Sequence, residues 1–444
     1  MTAVRVIFWL VVGVGLAVFI YSGAWHTLTL FVWQHPMLSW IPLLPLPAAA
    51  ALRRARPELK LAPFAWIAAL GLFACGLFFT LLLPPAVGLD DIDYRIVRAL
   101  PERSQPRLLP RTSVSDDPRF AEAREIHLAR DPASGQLMWT GEWRGSWLSG
   151  DSGGVAIKRL DDLVSPSEVT FAGFDHSASG MGFGTFKWDA KRRHPLSRIQ
   201  YPVLIPTGER GAIAVAPYSG YRGFPFRTPY LKGVLVYHQD GTVEDLTPEQ
   251  AAARPELAAS GRIVPETVAR KQAEALARSD ALAGKLVDGE GNRQPFLTAL
   301  SPDRTVWMSV INAKGRDGGV KAVVLADSTT GATDVWRADR RLVSTEEVLR
   351  RAQALPLRWK ERRCCDSDGH SYTVTLREVV EPRLTFKSGR PYYMVTVVPT
   401  SELALGREVE YTLLIDAQTG EEIDRFRHVE GGQAEDARLQ RFFS

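Results

Sequence analysis

A chain of 444 residues, 45% apolar and 23% charged, has the composition of globular material and enough of it for two or three cores. The net charge of +4 is carried entirely by residues 1–60, where Arg5, Arg53, Arg54, Arg56 and Lys60 stand against Glu58. The other residues sum to zero, so the high isoelectric point does not reflect a basic binding face, and nucleic acid is not expected as a partner. Three cysteines exclude a disulfide framework.

The first elements are apolar. Residues 6–52 and 61–89 contain no Asp, Glu, Lys or Arg. At about 1.5 Å rise per residue the first run exceeds one crossing of a roughly 30 Å hydrocarbon layer. It suits two spans, 6–27 and 30–52, the second interrupted by Pro36, Pro42, Pro45 and Pro47. Residues 61–83 read as a further span, ended by Pro84 and Pro85. The basic loop "RRARPELK" between the blocks favours the cytoplasmic side, which would carry everything after Asp90 outward. A cleaved leader ending near Ser22-Gly23-Ala24 is an alternative that leaves the large part on the same side.

Residues 90–118, rich in Pro, Arg and Ser, read as a linker. From 119 to 262 short β-type runs alternate with turns, as in "GQLMWTGEW", "GGVAIKRL", "PVLIP" and "GAIAVAP". "GVLVYHQDGTVEDL" at 233–246 is a hairpin signal, with Asp240-Gly241 at the bend. Trp139, Trp143 and Trp147 fall on one face if their strand continues that far, as a core stripe or a binding surface. "GDSGGV" at 150–155 resembles the surroundings of a serine-protease nucleophile. Only 62 residues separate Asp90 from Ser152, and they hold one histidine, His127, so a turn is the better reading. "GFDHSASGMGFGTFKW" at 173–188 lacks the strand-then-helix setting of a phosphate loop and reads as a flexible loop. With Asp175, His176, Phe183 and Trp188 it is a candidate functional surface. "YSGYRGFPFRTPY" at 218–230 suits a partner interface.

The C-terminal half repeats. "VKAVVLADSTTGATDVWR" from Val320 aligns without gaps on "VEYTLLIDAQTGEEIDRF" from Val409 at an offset of 89. Each predicts a strand, a D-x-x-T-G turn and a second strand, with Asp327 and Asp416 accepting backbone N–H bonds and Gly331 and Gly420 supplying positive φ. Strands at 305–311 and 392–398 precede the hairpins, and helices at 265–279 and 344–355 precede the strands, the latter capped by Ser344. "ARDPASGQLMW" at 129–139 carries the same turn and suggests a third copy. Between the helix at 344–355 and its strands, Cys364 and Cys365 stand in "RRCCDSDGH". They read as two thiols, a vicinal redox pair or a metal site with Asp366, Asp368 and His370, although no second cluster completes a zinc site.

The strand "PYYMVTVV" and the hairpin "YTLLIDAQTGEEIDRF" resemble the PepSY family, whose small domains pair a helix with a three-stranded antiparallel sheet. The resemblance covers 344–430 and, more loosely, 263–340. It implies a binding or inhibitory role in the cell envelope. The expected fold class is therefore α+β: N-terminal transmembrane helices (1–89), a linker (90–118), a β-rich region (119–262), two helix-plus-antiparallel-sheet units (263–343 and 344–430) and a tail (431–444). The expected location is integral to the cytoplasmic membrane, with residues 90–444 extracytoplasmic. The expected function is a non-enzymatic binding or scaffold protein of an envelope complex, with a membrane or envelope protein and the lipid bilayer as partners. Alternatives are a protease inhibitor or sensor, by the PepSY analogy, and an enzyme using Cys364 and Cys365 or Ser152. No catalytic, cofactor-binding or metal residue is assigned.

Overall fold

The structure is a computed structural model. It describes most of residues 92–442, apart from 106–108, 116–119, 121–125, 144–151, 161–166, 171–172, 179–183, 209–210, 223–227, 288–293, 315–317, 356–360, 366–370, 400–408, 429–436 and a few single positions. Of the first 91 residues it describes Gly13, His26, Arg54, Ile67 and Gly71.

Half of the described residues are strand. Strand β1 (Tyr94–Val97) precedes a meander of β2 (Ile126–Arg130), β3 (Leu137–Trp143), β4 (Gly154–Arg159) and β5 (Glu168–Thr170). After β6 (Arg198–Ile199) comes a second, β7 (Val203–Pro206), β8 (Ala212–Arg222), β9 (Thr228–His238) and β10 (Val243–Leu246). After β11 (Gly284–Leu286) comes a third, β12 (Phe296–Ser301), β13 (Arg304–Ala313), β14 (Val320–Asp327) and β15 (Thr333–Leu342). A separate hairpin, β16 (Glu361–Cys365) and β17 (Ser371–Thr375), leads to the fourth, β18 (Arg377–Lys387), β19 (Arg390–Pro399), β20 (Tyr411–Asp416) and β21 (Glu422–Arg427). The four are set in a four-blade, propeller-like arrangement. Neighbours within each meander are antiparallel. By contrast β1 lies parallel to β15, where Arg95 grips Asp334 at 2.5 Å.

This corrects the expected α+β class. The helices Glu266–Arg278 and Thr345–Ala354 form where the pattern predicts them, the second with its Ser344 cap accepting the Glu347 N–H at 3.2 Å. They do not define two self-contained helix-plus-sheet units, because the sheets are buried on both faces. Residues 212–220 of β8 and 305–312 of β13 are buried at every position. A strand of that kind needs cover above and below. The cover comes from other meanders. Ala129, Met138, Val155 and Ile157 of the first share a core with Val215, Leu235 and Tyr237 of the second. Met308 and Val323 of the third share one with Phe386, Tyr393 and Leu413 of the fourth. A further cluster joins Leu128, Trp139, Leu297, Trp307, Val380 and Val398, with Leu231 packed against it, so that all four meanders contribute.

The expected membrane anchor and integral location are corrected as well. Among the described residues no helix is long and apolar enough to cross a membrane. The proposed spans at 6–27, 30–52 and 61–83 lie outside the described residues except at Gly13, His26, Ile67 and Gly71. Of these, His26 is buried, with Nε2 3.0 Å from the Ser197 carbonyl, so this position touches the β body.

The repeated turn is built as its spelling implies. Asp327 Oδ1 accepts the N–H groups of Thr329 and Thr330, both at 2.9 Å, and Gly331 adopts φ +81. Asp416 Oδ1 accepts those of Gln418 and Thr419 at 2.7 and 2.9 Å, and Gly420 adopts φ +72. Both turns join the last two strands of a meander. The same chemistry at Asp131 and Gly135 joins β2 to β3 instead, the first two strands. In the second meander the corresponding last turn is the Asp240-Gly241 bend, where Asp240 accepts the Thr242 N–H at 2.9 Å. A Cβ added at Gly331 meets nothing closer than Val264 Cγ2 at 3.8 Å, so Gly331→Ala tests the backbone alone. It should lower stability by about 1–2 kcal/mol, read as a fall in urea midpoint at unchanged slope.

Candidate ligand cavity

Where the four meanders face one another they leave a cavity of about 620 Å³. Its wall takes Ile126, His127, Leu128 and Trp139 from the first, Val203 and Pro217 from the second, Phe296, Leu297 and Trp307 from the third, and Glu381 and Arg383 from the fourth. Arg111, Arg198 with Ile199, Gln200 and Tyr201, Arg262, Val264, Glu266, Thr267 and Pro295 complete it. Four arginines thus face two glutamates, a concentration of positive charge in a part of the chain whose total is zero.

Arg262 is placed by the end of the helix Pro255–Ser260. Gly261 closes that helix in the left-handed region at φ +68, where a Cβ would come within 2.8 Å of Thr305 Cγ2. The turn delivers Arg262 to the wall while Ile263 and Val264 enter the core. The Arg262 side chain donates through Nη2 to the Leu128 carbonyl, and its guanidinium lies 4.9 Å from the centroid of the Trp307 ring. Trp307 is itself held by Nε1 donating to the Val264 carbonyl at 2.9 Å. The residue is only 7% exposed, and its Nε has no hydrogen-bond partner among the described residues. Burial lowers the Arg262 pKa to about 10, with Glu266 acting the other way, so it stays charged at neutral pH.

Arg383 is aimed by a different device. Pro382 interrupts the pattern of β18, and the register with β19 shifts between Val380 and Arg383. At this bulge Glu381 takes φ +48, an uncommon value for a residue with a side chain. Glu381 accepts the Arg111 N–H at 3.0 Å, and its other carboxylate oxygen lies 3.4 Å from Arg383 Nη2. The Arg383 guanidinium sits 4.6 Å from the Phe296 centroid. Burial lowers its pKa and the Glu381 carboxylate opposes that shift.

His127 is neutral here. Burial first, then the charges of Arg262 and Arg111, push its pKa down to about 3. Such a group is a poor acid–base catalyst near neutrality. The wall can therefore recognise negative charge and apolar surface.

The residues singled out in the sequence lie elsewhere, except Trp139. That ring is buried, donates through Nε1 to the Leu109 carbonyl at 3.1 Å and forms part of the cavity wall. Trp143 is half-buried at the end of β3, and Trp147 lies outside the described residues. Ser152 is buried in an isolated antiparallel β-bridge to Phe174 instead of the expected turn, its N–H bonded to the Phe174 carbonyl at 3.1 Å and its hydroxyl to the Gly154 carbonyl at 3.3 Å. Cys364 and Cys365 are successive residues of β16, in register with Tyr372 and Ser371. Asp366, Asp368 and His370 lie outside the described residues. Among the described residues no three His, Cys, Asp or Glu side chains are grouped to hold a metal.

The expected flexible loop at 173–188 contains the start of a helix, Phe186–Arg193, capped by Thr185, with His176 stacked on Phe186 at 5.6 Å. Asp175 lies in the loop before it, Trp188 is in the helix, and Phe183 lies outside the described residues. The expected interface at 218–230 is largely strand, shared between β8 and β9, where the buried Tyr218 hydroxyl donates to Asp245 at 2.7 Å. Arg262, Arg383, Glu381 and His127 were not singled out. Their available signals were Pro382 inside an otherwise strand-like run and an arginine between Gly261 and the apolar Ile263-Val264. Compared with known protein families, curated proteins and solved structures, the chain matches none.

Because His127 binds a proton near pH 6.5 when unfolded and near pH 3 when folded, acid favours the unfolded chain throughout that window. Stability should fall by up to about 1.4 kcal/mol per pH unit below 6.5 from this group alone. The variant His127→Gln should flatten that slope in urea titrations at pH 7, 6 and 5.

Proposed function

We propose that this chain is a non-enzymatic binding protein that holds an anionic small molecule between its four meanders. The observation that carries the reading is Arg262: charged, buried against Trp307, and with Nε lacking a partner in the wall of a cavity large enough for a ligand. A buried polar donor without an acceptor is costly. An anion in the cavity would supply that acceptor and would be screened from water by the aromatic wall. The cavity also has the size and mixed lining of small-molecule sites, which lie where structural units meet. The reading keeps the binding role expected from the sequence and proposes this cavity for it.

The test is thermal unfolding of the purified chain with a panel of carboxylates, phosphates and sulfonates, set against uncharged analogues. At a hundredfold excess over the dissociation constant a ligand of the folded state adds about 2.7 kcal/mol. A rise in midpoint with an anionic class alone, abolished by Arg262→Met, is the expected result. Stabilisation by neutral analogues as strong as by the anions would refute it.

A further inference from the structure

We propose that the face built from the helix Phe186–Arg193 and the segment after it rests on a lipid surface that carries anionic headgroups. The contact is independent of the cavity ligand and requires no helix that crosses the membrane.

The zero total of residues 61–444 conceals a local excess. Between 187 and 198, Lys187, Lys191, Arg192, Arg193 and Arg198 stand against Asp189. The helix buries Phe186, Asp189 and Ala190, which leaves its cations on the outer side. Arg192, Arg193 and Arg198 are exposed, and Lys187 and Lys191 are half-buried. Folding adds a further cation from β9, the exposed Lys232, whose Nζ donates to the Ser197 hydroxyl at 3.5 Å. Part of this charge is offset. Asp189 accepts from Arg192 at 3.1 Å and from Arg193 at 2.6 Å, and Asp245 lies 2.8 Å from His194 Nε2.

Charge alone would suit any polyanion, but the side chains between the cations are apolar. Leu196 and Tyr201 are two of the exposed large apolar side chains of the described residues, at 38% and 40%. The Lys187 ammonium lies 4.0 Å from the centroid of the Tyr201 ring, and the Arg192 guanidinium 5.7 Å from that of Trp188. Such interleaving is what the headgroup layer demands: cations meet phosphates while aliphatic and aromatic groups reach the acyl boundary.

His26 supplies a second line of argument. It belongs to the run 6–52, which holds no Asp, Glu, Lys or Arg. Its Nε2 lies 3.0 Å from the Ser197 carbonyl, within the field of Lys191 and Lys187. The uncharged run therefore meets the folded body amid these cations. An acidic protein surface would account for the charge and not for this meeting. Arg198 and Tyr201 also line the cavity, so the cavity borders the same face.

Flotation of the full chain with vesicles of phosphatidylcholine, alone or mixed with phosphatidylglycerol, tests the assignment, with heparin as a polyanion that has no apolar layer. Mixed vesicles should bind at least about tenfold more tightly than neutral ones. That preference should fall about tenfold in the triple variant Lys187→Gln, Lys191→Gln, Arg192→Gln. Leu196→Ser should weaken binding to mixed vesicles about threefold. If the triple variant fails to fold, the exposed pair Arg192→Gln and Lys232→Gln decides by the same criterion. A preference kept in full by these variants would overturn the proposal and move the contact to the basic loop at 53–60. Equal binding to neutral and mixed vesicles would overturn it in favour of apolar contact alone. Heparin bound as tightly as mixed vesicles, with Leu196→Ser without effect, would make the face a polyanion site and not a bilayer site. No binding to either vesicle overturns it as well.

Discussion

The meanders of this chain present apolar side chains on both faces, and a four-stranded sheet of that kind cannot be covered by one helix. The helix Glu266–Arg278 covers part of the third sheet through Val268, Ala273 and Leu276, and Thr345–Ala354 reaches β18 and β19. The rest of the apolar surface must be met by other sheets. Pairwise cores join the first to the second meander and the third to the fourth, and the cluster around Trp139, Trp307 and Val398 binds the pairs together. At roughly 25 cal/mol per Å² of apolar surface removed from water, such contacts are the dominant favourable contribution to the fold.

The cavity follows from that constraint. Twisted sheets packed around a common centre do not close it completely. What fills the remainder is decided by loops and irregularities. Arg262 arrives from a helix end that Gly261 permits, and Arg383 from a bulge beside Pro382. Regular strand positions facing the centre, such as Leu128 and Leu297, are apolar. These two arginines therefore sit where the regular pattern breaks, each steadied by an aromatic ring: Trp307 for Arg262 and Phe296 for Arg383. Two buried arginines in one cavity with Glu266 and Glu381 are a costly arrangement for stability alone, which is why the site and not the sheets attracts a functional reading.

Local features were legible in the sequence because their causes are local. The turns at Asp327 and Asp416 need an acceptor, a chain reversal and a left-handed residue within five positions, and the spelling contains all three. The two helices carry their own caps and apolar spacing. The assembly of sheets was not legible, since β-type runs reveal burial but not what does the burying. Reading 263–343 and 344–430 as separate units followed from the repeat, and the shared core of Met308 with Tyr393 shows why the repeat misleads. The "GDSGGV" stretch is the opposite case: its spelling suggests chemistry, while Ser152 is spent on a backbone bridge to Phe174 and a bond to the Gly154 carbonyl. Arg262 had no visible partner in sequence because Leu128 and Trp307 lie far from it along the chain and meet it only through tertiary packing.

The pairing of β1 with β15 has a consequence for how the chain comes to be folded during synthesis. Arg95 and Asp334 are 239 residues apart, so β1 leaves the ribosome long before its partner exists. At about 5–20 residues per second the interval is on the order of tens of seconds. Throughout it Tyr94 and Ile96 remain on a strand with an unpaired backbone, while the first two meanders have all their strands and can close their common core. The third meander is then sealed from outside, by a segment that was waiting for it. Any product that stops before residue 333 carries this open edge permanently, and the cell would meet it as a sticky strand rather than as a half-built propeller.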